Sequence, residues 1–238
     1  MKNHDAKILS FASQFSLITH QHLCELTGMH PNSLWRSLPR LVREGDLYCK
    51  ELGMYRPNVY ATYDITKRKR SNFGHDLTIS DVHLALSKMR PWQLFEWRQP
   101  RQKMKGGLNE DAMFTLRLVL SGDTKTISYH LEVDTGSEPD WQIEERISRY
   151  LAHSVKGHIL FVVNVQHEDA PARSQEECDK RVSLLVRKAE RFLAKDAPDT
   201  WKKFLFTTRE EMIQNASGAI CRVAHDSNKY PIAPDLLN

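Results

Sequence analysis

Cysteine is scarce in this chain: four in 238 residues, at positions 24, 49, 178 and 221, with no CxxC pair. That spacing disfavours a disulfide framework and a cysteine-built zinc site, and it fits a reducing compartment. Long apolar runs are missing as well. No stretch approaches the roughly 18–20 residues of a membrane-spanning helix. The opening MKNHDAKILSFASQFSL has neither an apolar core region nor a small-residue cleavage site, so neither a signal peptide nor a membrane span is expected, and a cytoplasmic location is. Histidines do not gather. His20 and His22 fall together early, and His153 and His158 flank a helix end, which leaves no compact three-histidine metal group. Repeats and low-complexity tracts are absent. What remains is an ordinary apolar fraction of 40%, enough for a core, in a length that suits one large domain or two small ones.

The net charge of +4 hides an asymmetry. Residues 1–105 hold 17 Lys and Arg against 9 Asp and Glu, whereas residues 106–238 hold 17 against 21. A basic first half points to an anionic partner, nucleic acid first of all; a solvated surface of uneven charge is the bland alternative.

Residues 1–66 read as a small unit. DAKILSFASQF places Ile8, Leu9, Ala12 and Phe15 on one helical face,. Thr19 suits the N-cap of HQHLCELTG, and Gly28 its C-terminal stop,. HPNSLWRSLPRLVREG reads as a third helix, with Pro31 in its first turn, Gly45 as its end and Leu34, Leu38, Leu41 and Val42 as its core stripe,. Pro39 should kink it or weaken one of its hydrogen bonds. The opposite face carries Asn32, Ser33, Arg36, Arg40 and Arg43. Two helices joined by a tight turn, the second with a basic polar face, fit a helix-turn-helix, and DLYCKEL and NVYATYDI around GMYRP supply a wing,. A winged helix used for protein contacts has the same pattern; the arginines favour DNA. Residues 67–74, KRKRSNFG, form a basic linker able to follow a phosphate backbone,.

From His75 the pattern becomes a helix, three strands, a helix, a strand, a helix and a strand, which predicts an α/β (α+β) domain over 75–215 with a mixed sheet,. HILFVVNV is apolar throughout, as a strand buried on both faces should be,. Residues 216–238, rich in Pro, Asn and Asp, read as a tail,.

The chemistry concentrates at NEDAMFTLRLVLSGDTKTISYHLEVDTGSE, residues 109–138. Glu132 and Asp134 are two apart on a strand and share a face, while Val133 points into the core,. Asp111 opens the antiparallel neighbour. Three converging carboxylates repel one another unless a cation neutralises them. Mg²⁺ or Mn²⁺ suits such oxygens, with the Val133 carbonyl as a further ligand, and could activate water against a phosphodiester. The pair equally suits a strand end facing solvent. Arg146, one turn before Arg149 and Tyr150 on the following helix, could hold a phosphate or stay a solvated helix residue.

These residues carry a resemblance. NEDAMF, HLEVDTGSE, ISRYLAH and HILFVV resemble the replication-relaxation family of plasmid proteins, with the MobC-type mobilisation relaxases as the nearest kind. The resemblance spans roughly residues 8–165 and is strongest over 109–165. It implies a winged helix fused to a restriction-endonuclease-like αβββαβ domain of the PD-(D/E)XK type. It implies a metal-dependent nick in one strand at a plasmid origin of transfer, with double-stranded origin DNA, other relaxosome proteins and a secretion coupling protein as partners. Asp111 and Glu132 match the two acidic positions of the nuclease motif. Asp134 stands where the general pattern has lysine, although the MobC-type relatives similarly have an acid, and Arg146 could replace that lysine. His75, Asp76 and Glu138 match further family positions of unassigned role. The nucleophile is either water or a side chain such as Tyr150 or Tyr129. The missing lysine motivates an alternative, a non-catalytic DNA-binding replication or relaxosome accessory protein on a degenerate nuclease fold. A double-strand or structure-specific nuclease is a third reading.

Overall fold

Leu34, Leu38 and Leu41 recur on one side of the third helix, and all three are at most 1% exposed. That stripe organises the first of two units, Met1–Leu84 and Ala85–Asn238. The computed structural model describes residues 3–52, 57–68, 73–100, 108–120, 123–165, 175–196, 200, 203–214, 220–223 and 226–232.

In the first unit, α1 (Asn3–Ala12), α2 (His20–Thr27) and α3 (Pro31–Glu44) accompany a three-stranded sheet of order β1-β3-β2, made of β1 (Ile18–Thr19), β2 (Tyr48–Lys50) and β3 (Val59–Ala61). Both pairings are antiparallel. Thr19 caps α2 as its sequence suggests: its hydroxyl accepts the His22 N–H, and the His22 ring faces back to the Thr19 N–H. The helix α3 runs through Pro39 without interruption. Pro39 is exposed, so the carbonyl one turn earlier, left without its usual N–H, can be satisfied by water instead of a break. Of the expected wing, both strands are present, while residues 53–56 of its tip lie outside the described residues, as do residues 69–72 of the basic linker.

One boundary differs from expectation. The helix from His75 was assigned to the second domain, but α4 (Phe73–Ser87) lies in the first unit as far as Leu84. The reason is polar as well as apolar. Ser80 Oγ donates to the Leu17 carbonyl at 2.6 Å, His22 Nε2 meets Asp81 at 2.8 Å, and His83 packs edge-on against Phe15.

The second unit is built on a seven-stranded sheet of order β10-β9-β8-β7-β6-β5-β4. The strands β4 (Gln93–Arg98), β5 (Ala112–Leu120) and β6 (Asp123–Asp134) form an antiparallel meander. The helix α5 (Asp140–Ala152) then crosses to β7 (His158–Val163), parallel to β6, and α6 (Gln175–Asp196) crosses to β8 (Phe204–Thr208), parallel to β7. Ile143, Ile147 and Tyr150 of α5 and Val182, Leu185 and Ala189 of α6 cover one face of the sheet, against Phe161 and Phe206. Gly157 marks the tightest approach: a Cβ there would stand 2.3 Å from the Ser128 carbonyl oxygen, so any side chain would push β7 off β6,.

The tail expected at 216–238 is instead partly strand. After α7 (Arg209–Gln214), β9 (Ile220–Val223) and β10 (Asp226–Pro231) extend the sheet antiparallel to β8. Ile232 is 1% exposed, and its carbonyl accepts the Tyr129 hydroxyl. A proline is tolerated in β10 because it is the edge strand, where one side of the backbone has no ladder partner,.

Candidate functional site

β5 stops where β6 continues, and that mismatch sets the position of Asp111. Its N–H donates to the Leu131 carbonyl at 3.0 Å, and its Oδ2 accepts the Val133 N–H at 2.8 Å. The carboxylate thus replaces the missing backbone partner and brackets Glu132 between its two attachments. Glu132 and Asp134 point to the helix-covered face and are 3% and 2% exposed; Val133, 2% exposed, is on the other side. The sequence expectation that these residues share a sheet end is met in geometry.

Each acid is tied to a specific partner. Tyr150 Oη donates to Glu132 Oε1 at 2.5 Å, and Arg146 Nη1 meets Glu132 Oε2 at 2.9 Å. Arg146 Nη2 donates to both oxygens of Glu138, at 2.5 and 2.6 Å. One guanidinium therefore clamps two carboxylates, with the planar, bidentate geometry on Glu138 that its fork allows and a point-like ammonium lacks. Asp134 Oδ1 accepts the Gly136 N–H at 2.7 Å, closing a tight turn. Gly136 has φ of +77°, and a Cβ there would lie 2.8 Å from Val165, so glycine is required on both counts,. Asp134 Oδ2 accepts from Arg181 Nε at 2.7 Å, and Arg181 Nη2 reaches the Glu138 carbonyl at 3.0 Å.

Arg181 was not among the sequence candidates. It sits on α6 beside the inward residues Cys178, Val182 and Leu185. A basic residue inside an apolar stripe is the signal that could have found it.

Burial, followed by the nearby charge of Asp111, pushes Glu132 up to about 8, although Arg146 and the Tyr150 hydrogen bond pull the other way. Burial and then Glu132 hold the Tyr150 phenol well above its ordinary range. Arg146 remains firmly protonated: burial opposes its charge, but Glu132, Glu138 and Asp111 outweigh that. His130, one pleat before Glu132, is pulled below its usual value by burial. Acid outnumbers base here even with Arg146 counted.

Two tyrosines offered as nucleophiles are unsuited to that role in this arrangement. Tyr150 is 2% exposed and spends its hydroxyl on Glu132. Tyr129 is fully buried, stacked on Phe114 at 4.7 Å, with its hydroxyl on the Ile232 carbonyl.

The other candidates divide. His75 and Asp76 lie on α4 in the first unit, where Asp76 is 5% exposed and paired with Arg68 and with His75. That pairing is a structural anchor for the α4 N-terminus. On α3, Asn32, Arg36 and Arg43 are exposed and Ser33 half-buried. Arg40 is a correction: its guanidinium reaches Asp5 Oδ1, and Asp5 is 1% exposed, so Arg40 ties α3 to α1 instead of facing outward alone. Arg40→Ala is therefore expected to lower the thermal midpoint of the chain by leaving Asp5 buried without its cation. Arg36→Ala should not, and circular dichroism melts of the two variants distinguish these roles.

Whether the cluster suits a divalent cation has a mixed answer. Asp134 does not: one oxygen is held by Arg181 and the other by Gly136. Among the described residues, no group of three or more His, Cys, Asp or Glu side chains is arranged as metal ligands. Mg²⁺, however, is commonly held by one or two carboxylates together with substrate phosphate. Glu132 is held in the same way as Asp134, one oxygen by Tyr150 and the other by Arg146, and Asp111 Oδ2 is taken by the Val133 N–H. The buried Oδ1 of Asn109 and Oε2 of Glu110, next in sequence to Asp111, have no hydrogen-bond partner among the described residues. A cation at Asp111 and Glu132 would have to displace the Tyr150 or Arg146 bond to Glu132, and the full set that the sequence suggested does not fit.

No helix among the described residues is long and apolar enough to cross a membrane. Comparison with protein-family models finds no match, and comparison with curated proteins finds none either.

Proposed function

We propose that this chain binds double-stranded DNA through α3 of a winged-helix unit and nicks one strand with a divalent cation held between Asp111 and Glu132. The carrying observation is that Asp111 straddles Glu132 across the end of the β5–β6 pair. The element order of the second unit supports a nuclease-type frame: an antiparallel meander of three strands, a helix and a parallel strand, with the acids at the start of the second strand and the end of the third. In the first unit, three helices with a β1-β3-β2 sheet and an arginine-bearing third helix support the winged-helix reading,. Mg²⁺ or Mn²⁺ at this pair would polarise the scissile phosphodiester and lower the pKa of a bound water. The chain's own residues set the stage: Asp111 orders the end of β6, Tyr150 and Arg146 fix the Glu132 carboxylate, and Arg181 with Gly136 shapes the loop beyond Asp134. The sequence resemblance points to a plasmid origin of transfer as the DNA.

The test is supercoiled plasmid carrying such an origin. An open circle formed with Mg²⁺ or Mn²⁺ and lost with EDTA supports a nickase; a linear product would make the chain a double-strand cutter. A second reading, a DNA-binding accessory protein without a reaction, is favoured by Arg146 and Arg181 already neutralising Glu132 and Asp134. Salt-sensitive binding with no cleavage under any divalent metal would establish it.

Arg36→Ala is expected to weaken DNA binding evenly across sequences and to reduce the salt slope of affinity by about one. Anisotropy titrations at several salt concentrations measure both quantities. An unchanged slope would mean that this face of α3 does not meet phosphate.

A further inference from the structure

Beside the arginines of α3 lies an aromatic platform that a groove-reading helix does not need. Trp35 is 57% exposed, a large apolar surface to leave in water. One of its faces rests on the His20 ring at 4.6 Å between centroids, with the planes 29° apart. His20 is itself pinned: Nε2 donates to the Pro31 carbonyl at 3.3 Å, and Nδ1 meets Cys24 Sγ at 3.7 Å. The indole is thus backed by a fixed ring on one side and exposed on the other. Arg36 follows it directly and is exposed, and α3 carries no acid before Glu44.

A flat π-surface beside a cation suits an aromatic ring joined to an anion. A nucleotide is that chemistry: the base stacks and the phosphate meets the guanidinium. In an intact duplex both faces of each base are already covered by neighbours, so only an unpaired base can offer one. Resting on the reading that this unit binds DNA, we infer that Trp35, supported by His20, stacks on an unpaired base within the bound DNA, with Arg36 on the adjoining phosphate. The favoured ligand is then a duplex containing a locally opened base, not a fully paired one. Such recognition would give strand selectivity, because only one strand presents its base to the ring.

The experiment compares two probes by fluorescence anisotropy at one ionic strength: a fully paired duplex, and the same duplex with a single unpaired thymine. The full-length wild-type chain is expected to bind the second about tenfold more tightly, within the range that base–aromatic stacking supplies. Trp35→Ala should lose that preference and keep its affinity for the paired duplex; Trp35→Phe, which retains a ring, should keep most of the preference. His20→Ala should reduce it by loosening the indole. Melting curves for each variant confirm that folding is retained. Equal loss on both probes would overturn the inference and make Trp35 an ordinary groove contact. An unchanged preference in Trp35→Ala would also overturn it and leave the ring to a protein partner. Failure of the wild type to bind either probe would overturn the DNA-binding reading itself, a result distinct from both.

Discussion

Asp111→Asn is expected to slow metal-dependent nicking by about 10²–10³-fold, the scale on which one electrostatic partner of a reacting group acts, while leaving affinity for DNA unchanged. The substitution is chosen because Asn retains an oxygen that can accept the Val133 N–H, now at 2.8 Å from the carboxylate. The end of β6 therefore keeps its anchor and loses only the charge. That charge has a second readout. After burial, Asp111 is the largest cause of the raised Glu132 value of about 8. A carboxyl whose folded pKa is raised stabilises the fold below its unfolded pKa and loses that contribution as pH climbs through the folded value. With Glu132 moved from its ordinary value of 4.5 to about 8, wild type forfeits on the order of 3 kcal/mol from this group between about pH 5 and 8. Asp111→Asn lowers the Glu132 pKa and should flatten that decline. A variant with full nicking activity would remove Asp111 from the mechanism. A variant with lost activity and an unaltered pH profile of stability would separate Asp111 from Glu132.

Arg146→Ala carries the largest expected cost to stability. It deprives Glu132, 4% exposed at its side chain, of the guanidinium 2.9 Å away, and deprives Glu138 of both its bonds to the same group. Removing one partner of a buried pair costs about 3–5 kcal/mol, and the figure falls when the stranded group can be neutralised. Glu132 can be, because Arg146 is among the forces lowering its pKa and its loss raises that pKa further. At pH 5.5 Glu132 is protonated in wild type and variant alike, so the deficit is small there. It grows as the solution passes pH 7 and 8, where wild type can ionise Glu132 and the variant must hold it neutral. Urea melts across that range measure this directly. Arg146→Lys should fall between the two, since one ammonium cannot serve both carboxylates in a fork geometry. A deficit independent of pH would show that Arg146 contributes by packing its methylene stem.

The helical half of the N-terminal unit was legible because its signals are local. Thr19, Gly28, Pro31 and Gly45 sit at the helix ends that their chemistry favours, and the leucine stripe of α3 repeats at helical spacing. The parallel strand β7 was legible from its unbroken apolar run. The acid pair on β6 was legible because a period of two fixes which side chains share a face. What escaped reading depends on contacts between distant residues. Arg40 looked like a surface cation until Asp5, 35 residues away, claimed it. Arg181 lies 47 residues beyond Asp134 and has no motif of its own. The attachment of α4 to the first unit escaped because its partners, Leu17, His22 and Phe15, precede it by more than fifty positions. The last strand, β10, escaped because an edge strand needs little hydrophobic pattern,.

The central claim is that Asp111 and Glu132 together hold a divalent ion against a DNA phosphate. Mn²⁺ binding, followed by the electron paramagnetic resonance of free Mn²⁺, tests it without relying on turnover. The chain is titrated in complex with an origin duplex made uncleavable by a phosphorothioate at the scissile position. Wild type should take up Mn²⁺ in that complex, and Asp111→Asn and Glu132→Gln should each lose the uptake while still binding the duplex. Undiminished uptake in both variants, or none in wild type bound to DNA, would contradict the account.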